Sequence, residues 1–170
     1  MNDHKHDCKK KEPCKDRKLN KLVRASAFRA TKSIPQALIA DVPMKVLFDN
    51  QQFDLANEYN PIASRFVPRK DGVYSIIATI AFDPAADVNH SVLLGIRVNG
   101  INVAVDNDFF GPLPNFTNIL AVSTILNLNA RDQVEVFAQA SVNGIIVPDN
   151  PTPPRLNSSH FEAARFPSPK

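Results

Sequence analysis

Residues 73–82, Val-Tyr-Ser-Ile-Ile-Ala-Thr-Ile-Ala-Phe, form the longest β-rich run in the chain. Alternation puts Val73, Ser75, Ile77, Thr79 and Ala81 on one side and Tyr74, Ile76, Ala78, Ile80 and Phe82 on the other. Neither side carries a charge. A strand with one wet face would alternate apolar and polar residues, so this one is expected to be covered on both faces. One cover is its own sandwich core. The other is a neighbouring subunit or, more plainly, a long loop.

The rest of the chain reads as strands and turns. A first strand is expected over 23–31, with Ala25, Ala27 and Arg29 on one side and Ser26, Phe28 and Ala30 on the other. Residues 33–43, with two prolines, read as a connection. A short strand follows at 44–48, a turn at 49–52, a resumption at Phe53 and Leu55, and a turn at 57–61. Residues 64–67 return before the polar turn Arg69-Lys70-Asp71-Gly72. Residues 83–87 form a loop, 91–98 a strand, and Asn99-Gly100 a hairpin turn, because both residues tolerate positive φ. Ile101, Val103 and Val105 continue as its partner. A loop is expected at 106–118, strands at 119–128 and 133–140, a proline-rich loop at 141–157 and a last strand at 158–166. No helical period of useful length occurs. About nine short strands with this punctuation indicate an all-β, antiparallel sandwich or jelly roll.

At 170 residues the chain is long enough for one domain with a real core. The division expected is an arm at 1–22, a jelly-roll domain at 23–166 and a tail at 167–170. Residues 1–24 hold nine Lys or Arg and four acids, a net +5, which leaves the remainder at −2. The arm reads as flexible and soluble. It lacks aromatic residues on which bases could stack, which argues against nucleic-acid binding. No stretch approaches the ~20 apolar residues of a membrane span, and the charged N-terminus does not read as a secretory signal. Both cysteines, Cys8 and Cys14, lie in the arm, where an intermolecular disulfide, a local bridge or two free thiols are the alternatives. With His4 and His6 they match no closed zinc spacing.

No catalytic constellation emerges. The five glycines are scattered, no Gly-x-Ser-x-Gly elbow is present, and His90 and His160 read as surface or interface histidines. The chain is therefore not expected to be an enzyme. Asp106 and Asp108, with Asn107 between them, are weak candidates for calcium, although such loops usually serve turn geometry. Asn115 and Asn157 fit the glycosylation pattern, which means little without a secretory signal. No other cofactor is indicated.

Several elements together carry a family likeness. They are Ala27-Phe28-Arg29-Ala30, Tyr59-Asn60-Pro61 with Ser64-Arg65-Phe66, Pro68 with Asp71-Gly72-Val73-Tyr74, Ile96-Arg97-Val98-Asn99-Gly100, residues 126–134 and Phe161. The chain resembles the globular head of complement component 1q, in the superfamily shared with tumour necrosis factor, and its bacterial members most of all. The resemblance implies a jelly roll of about ten strands that forms homotrimers, with 73–82 in the inner sheet near the three-fold axis. It implies a trimer interface around Tyr74 and Phe161, with Ile76, Phe137 and Phe28 as further candidates. The setting it suggests is a bacterial cell or spore surface reached without a secretory signal peptide. The expected function is a self-assembling structural module of a surface layer or fibre. Its arm would tether it to a neighbouring subunit or a surface anchoring protein, and Cys8 and Cys14 could lock the joint. The alternative is a trimeric recognition module that binds a glycan or protein through loops 83–90, 106–118 and 141–157. The chain departs from the animal proteins in lacking a Gly-X-Y stalk.

Overall fold

The computed structural model describes residues 25–112, 117–149 and 159–167. The arm with His4, His6, Cys8 and Cys14 lies outside the described residues, as do Asn115, residues 150–158 with Asn157, and the last three positions. The strands are β1 (Ala27–Thr31), β2 (Gln36–Leu38), β3 (Met44–Lys45), β4 (Asn50–Asp54), β5 (Tyr59–Asn60), β6 (Arg65–Phe66) and β7 (Gly72–Pro84). They continue as β8 (His90–Val98), β9 (Ile101–Phe110), β10 (Asn118–Leu128), β11 (Val134–Ala140), β12 (Gly144–Ile146) and β13 (His160–Arg165).

These strands form two antiparallel sheets packed as a jelly-roll sandwich. The first, called the inner sheet here, runs β4-β1-β13-β7, with β10 on the far side of β7 and β12-β2 extending from its end. The second, the outer sheet, runs β5-β6-β11-β8-β9, with β3 also on β11. The central strand β7 pairs from Gly72 to Phe82 with β10 and on its other side with β13 and then β12. The fold class expected from the sequence is the one observed.

The core sits between the sheets and is aromatic at one end. Phe28 stacks on Tyr59 and Phe66, with ring centroids at 4.5 and 4.9 Å, and meets the edge of Phe161 at 5.0 Å. Phe66 in turn meets Tyr74 at 5.7 Å. The two phenols end on backbone: Tyr59 donates to the Phe48 carbonyl at 2.6 Å and Tyr74 to that of Lys70 at 2.8 Å. Burial pushes both phenols up, as expected for groups whose charged form would lose water. The predicted hairpin turn is present, with Asn99 and Gly100 at φ 52° and 83°.

Three stretches differ from the sequence reading. Residues 50–52, expected to turn, belong to β4, where they pair with β1 across a bulge between Arg29 and Ala30. The loop expected from 106 starts later, because β9 runs on to Phe110 against β8. Residues 144–146, inside the expected 141–157 loop, form β12 and bridge β7 to β2. In each case a long-range ladder overrides the local turn preference of Asn, Asp and Gly.

Candidate subunit interface

In an antiparallel pair, residues directly opposite share a face, so the register of the inner sheet defines its outward surface row by row. One row reads Ser123, Ile77, Glu162, Arg29, Phe53 across β10, β7, β13, β1 and β4. The row on one side of it reads Ile125, Ser75, Ala164, Ala27. The row on the other side reads Ala121, Thr79, His160, Thr31, Asn50. Val73 opposite Asn127 and Ala81 opposite Ile119 close the two ends.

Alanine, serine and threonine supply eight of these eighteen residues, and the surface is nearly free of net charge. Its Arg29 and Glu162 neutralise each other through a contact of 2.5 Å. Its isoleucines stand out: Ile125 is 64% exposed and Ile119 56%, with Ile77 half-buried between them and Phe53 exposed at the far edge. Thr31 and Thr79 are shielded, the first by Asn50 Nδ2 at 3.2 Å and the second by His160 Nε2 at 3.4 Å. Beside this face, the edge strand β9 turns Ile101 and Val105 outward, and Phe109, which is 81% exposed.

The outward side of the outer sheet is different in kind. Glu135 Oε1 accepts from Lys45 Nζ and Arg65 Nε, both at 2.7 Å. Burial alone would raise the Glu135 carboxyl, but these hydrogen bonds outweigh it and hold the group below its usual range. The Arg97 guanidinium lies 3.9 Å above the Phe137 ring and donates to Asn102 Oδ1 at 2.8 Å. That surface is polar and internally paired; the inner sheet's face is apolar and open.

The structure corrects the candidate interface residues. Tyr74, Ile76 and Phe161 have 0% exposure and Phe28 has 1%, so all four side chains are closed inside the protomer's own core. They belong to the inner sheet, but they take the side that meets the outer sheet. A side chain without accessible surface has nothing left to bury against a partner. Phe137 is on neither side of the inner sheet; it lies on the outward side of the outer sheet, covered by Arg97. The outward face of the inner sheet is made instead by their alternates, Ile77, Ser75 and Val73 on β7, with Ile119, Ile125, Arg29 and Glu162. The alternation on 73–82 contained that signal.

Two further candidates move. His90 is not a surface residue: it is 2% exposed, stacks on Phe110 at 5.5 Å and sits 5.8 Å from Phe82. Its Nδ1 lies 2.8 Å from the Val88 carbonyl and its Nε2 3.1 Å from Asn118 Nδ2. Asp106 and Asp108 are not in a loop but lie two apart on one side of β9, opposite Leu94 and Val92. Among the described residues no group of three His, Cys, Asp or Glu is gathered to hold a metal ion. Nor, among them, is any helix long and apolar enough to cross a membrane.

One buried cation was not anticipated. Lys32, just after β1, is 2% exposed. Its Nζ donates to the Leu47 carbonyl at 2.9 Å and to Gln36 Oε1 at 3.1 Å. Burial pushes its pKa down to about 8, against the pull of Asp49. Gln36 Oε1 also accepts from Leu47 N, and its Nε2 donates to the Lys45 carbonyl, so the group ties β2 to the segment 45–47.

No protein-family model and no curated protein matches the chain. Solved structures do. Eiger TNF from S. frugiperda is 13% identical, with 87% of this chain and 96% of that one covered and a TM-score of 0.56. Murine APRIL at pH 8.0 is 8% identical, covering 84% of this chain and all of its own, at 0.58. The globular domain of zebrafish complement 1qA is 13% identical, covering 82% and 93%, at 0.50. At these identities the likeness is one of architecture, and it is the architecture that the sequence resemblance implied: the jelly roll of tumour necrosis factor and complement 1q domains.

Proposed function

We propose that the protein is a non-enzymatic structural module that assembles as a homotrimer, the inner-sheet face of one copy packing on the β9–β10 edge of the next. The observation that carries this reading is the open face itself. It spans five strands, holds exposed isoleucines among small residues, and cancels its single charge pair internally. Apolar surface of this kind gains by removal from water. A closed ring of identical heterologous contacts covers every copy, and three copies suit the fold that the chain shares with tumour necrosis factor and complement 1q domains.

The arm extends the proposal. Residues 1–24 carry +5 and the remainder −2, so the arm of one trimer is attracted to the body of another. Three arms per trimer make contacts that are weak singly strong together. Cys8 and Cys14 then supply a covalent lock, and the assembly is a surface layer or fibre of a bacterial cell or spore.

The test is mass in solution. The full chain is expected to run as three copies of the 18.8-kDa subunit or as multiples of three. The Ile77→Lys variant, with a charge at the centre of the face, is expected to dissociate. A monomeric parent protein at micromolar concentration would sink the reading.

A further inference from the structure

A cleft of about 650 Å³ opens where the turns at 57–61, 67–69 and 130–131 meet, at the end of the sandwich away from β12. Arg69 and Arg131 line it, together with Asn57 and Asn60. What distinguishes these two arginines is that their charge is unspent. Arg29 and Arg65 each have a carboxylate partner, and Arg97 lies on Phe137. Among the described residues, neither the Arg69 nor the Arg131 guanidinium has a hydrogen-bond, ion-pair or ring partner.

Acids are close by, but each is turned to other donors. Glu58, on the cleft wall, accepts from Arg69 N at 2.8 Å through Oε1 and from the Ser26 hydroxyl through Oε2. Asp71 accepts from Ala130 N at 2.7 Å. Asp132 accepts from Asn99 Nδ2 at 2.9 Å and from Asn129 N at 2.8 Å. These carboxylates keep their charge but are held toward neutral donors, which leaves the two guanidiniums as the cationic groups of the lining that are free to meet an anion.

The backbone gives an independent sign. Arg131 adopts φ 76°, held by a hydrogen bond from its N–H to the Pro68 carbonyl at 2.7 Å. That conformation suits Gly or Asn and costs an arginine about 1 kcal/mol. A long cationic side chain is thus presented at a position whose backbone disfavours it, and such outliers gather at binding sites.

We propose that this cleft binds an acidic saccharide, with its carboxylate or sulfate held between Arg69 and Arg131. Guanidinium forks match both anions. Asn60 Oδ1 accepts from Ala63 N at 3.0 Å, so its Nδ2 remains to donate to a ring hydroxyl, and Asn57 lies beside it. Pro61, Val67 and Pro68 offer a shallow apolar wall for the C–H face of a sugar ring. The volume exceeds what a single inorganic anion fills, and the amide-rich lining favours a hydroxylated ligand over an apolar one. The site lies within one protomer and so stands apart from the trimer reading.

The experiment is calorimetric titration of the full chain with digalacturonate, a heparin-derived disaccharide, cellobiose as the neutral control, and a Glu-Glu-containing peptide. One acidic disaccharide per chain is expected to bind, more weakly as salt rises, with no binding of cellobiose. Arg131→Asn and Arg69→Gln are each expected to weaken binding at least tenfold. Arg131→Asn relieves the backbone, so its melting temperature should equal or exceed the parent's, and the subunit number of each variant should be unchanged. No binding of either acidic disaccharide, equal binding by the variants, or tighter binding of the acidic peptide would overturn the proposal. A variant that binds normally but no longer forms trimers would count against the assembly reading alone.

Discussion

The ring of Phe137 on β11 lies across Gly95 on β8, its direct partner in the ladder. A Cβ on Gly95 would come within 2.3 Å of Phe137 Cε1 and within 3.2 Å of the Ala104 carbonyl on the other side. The ring cannot simply lift away, because the Arg97 guanidinium covers it from outside at 3.9 Å. Glycine is required here by space. Gly95→Ala is expected to lower stability by about 1–3 kcal/mol, the usual cost of overpacking. In a Phe137→Ala background the same change should cost almost nothing, since the obstacle is gone. Chemical denaturation of the four proteins of this cycle measures the coupling.

Neighbouring isoleucines on β7 should behave oppositely. Ile76 is sealed in the core and Ile77 sits at the centre of the open face. Ile76→Ala is expected to cost about 2–5 kcal/mol through the cavity it leaves, with the subunit number intact at low temperature. Ile77→Lys is expected to cost the protomer little and to release it from the trimer. Light scattering beside thermal melts separates the two effects. Dissociation by Ile76→Ala alone would mean that the faces of β7 had been assigned the wrong way round.

That pair also marks the limit of what the sequence could say. Alternation on 73–82 revealed two apolar sides, and both the strand and its central place were legible. Which side faces inward was not, since neither carries a charge and both hold isoleucine. The choice was made by partners distant in sequence: Phe28, Phe66 and Phe161 gather around the Tyr74 side. The family resemblance put Tyr74 and Phe161 at a subunit interface, whereas both side chains point into the protomer's own core. The acids of β9 misled differently. Asp106 and Asp108 have turn chemistry, but on an edge strand they are compatible with a ladder and discourage further pairing. Lys32 had no signature at all, because its burial depends on Leu47 and Gln36 closing over it.

The arm prediction concerns covalent assembly. If Cys8 and Cys14 join copies, electrophoresis without reductant should show ladders that collapse to one band when reductant is added. The Cys8→Ser and Cys14→Ser double variant should still form trimers, since the open face is untouched, but should lose the ladder and dissociate more readily in denaturant. Equal resistance of parent and variant would remove the covalent lock from the proposal and leave the trimer standing.

The last prediction is a pH dependence carried by Lys32. Burial pushes its pKa in the folded protein down to about 8, from 10.5 for an exposed lysine. Below pH 8 both folded and unfolded chains hold the proton, and the folded state bears the full cost of a buried charge. Between 8 and 10.5 the unfolded chain still holds a proton that the folded one has released. More protons on the unfolded side mean that stability rises with pH across this window. Tyr59 and Tyr74 oppose this only above about pH 10, where the unfolded phenols ionise and the folded ones, raised by burial, do not. Lys32→Met removes the titrating group while keeping an unbranched chain to fill the space. Subtracting its melting temperatures from those of the parent at pH 7, 8, 9 and 9.5 should give a difference that moves steadily in the parent's favour. A flat difference would show that the Lys32 ammonium is better solvated than its burial among Leu47, Gln36 and Asp49 implies.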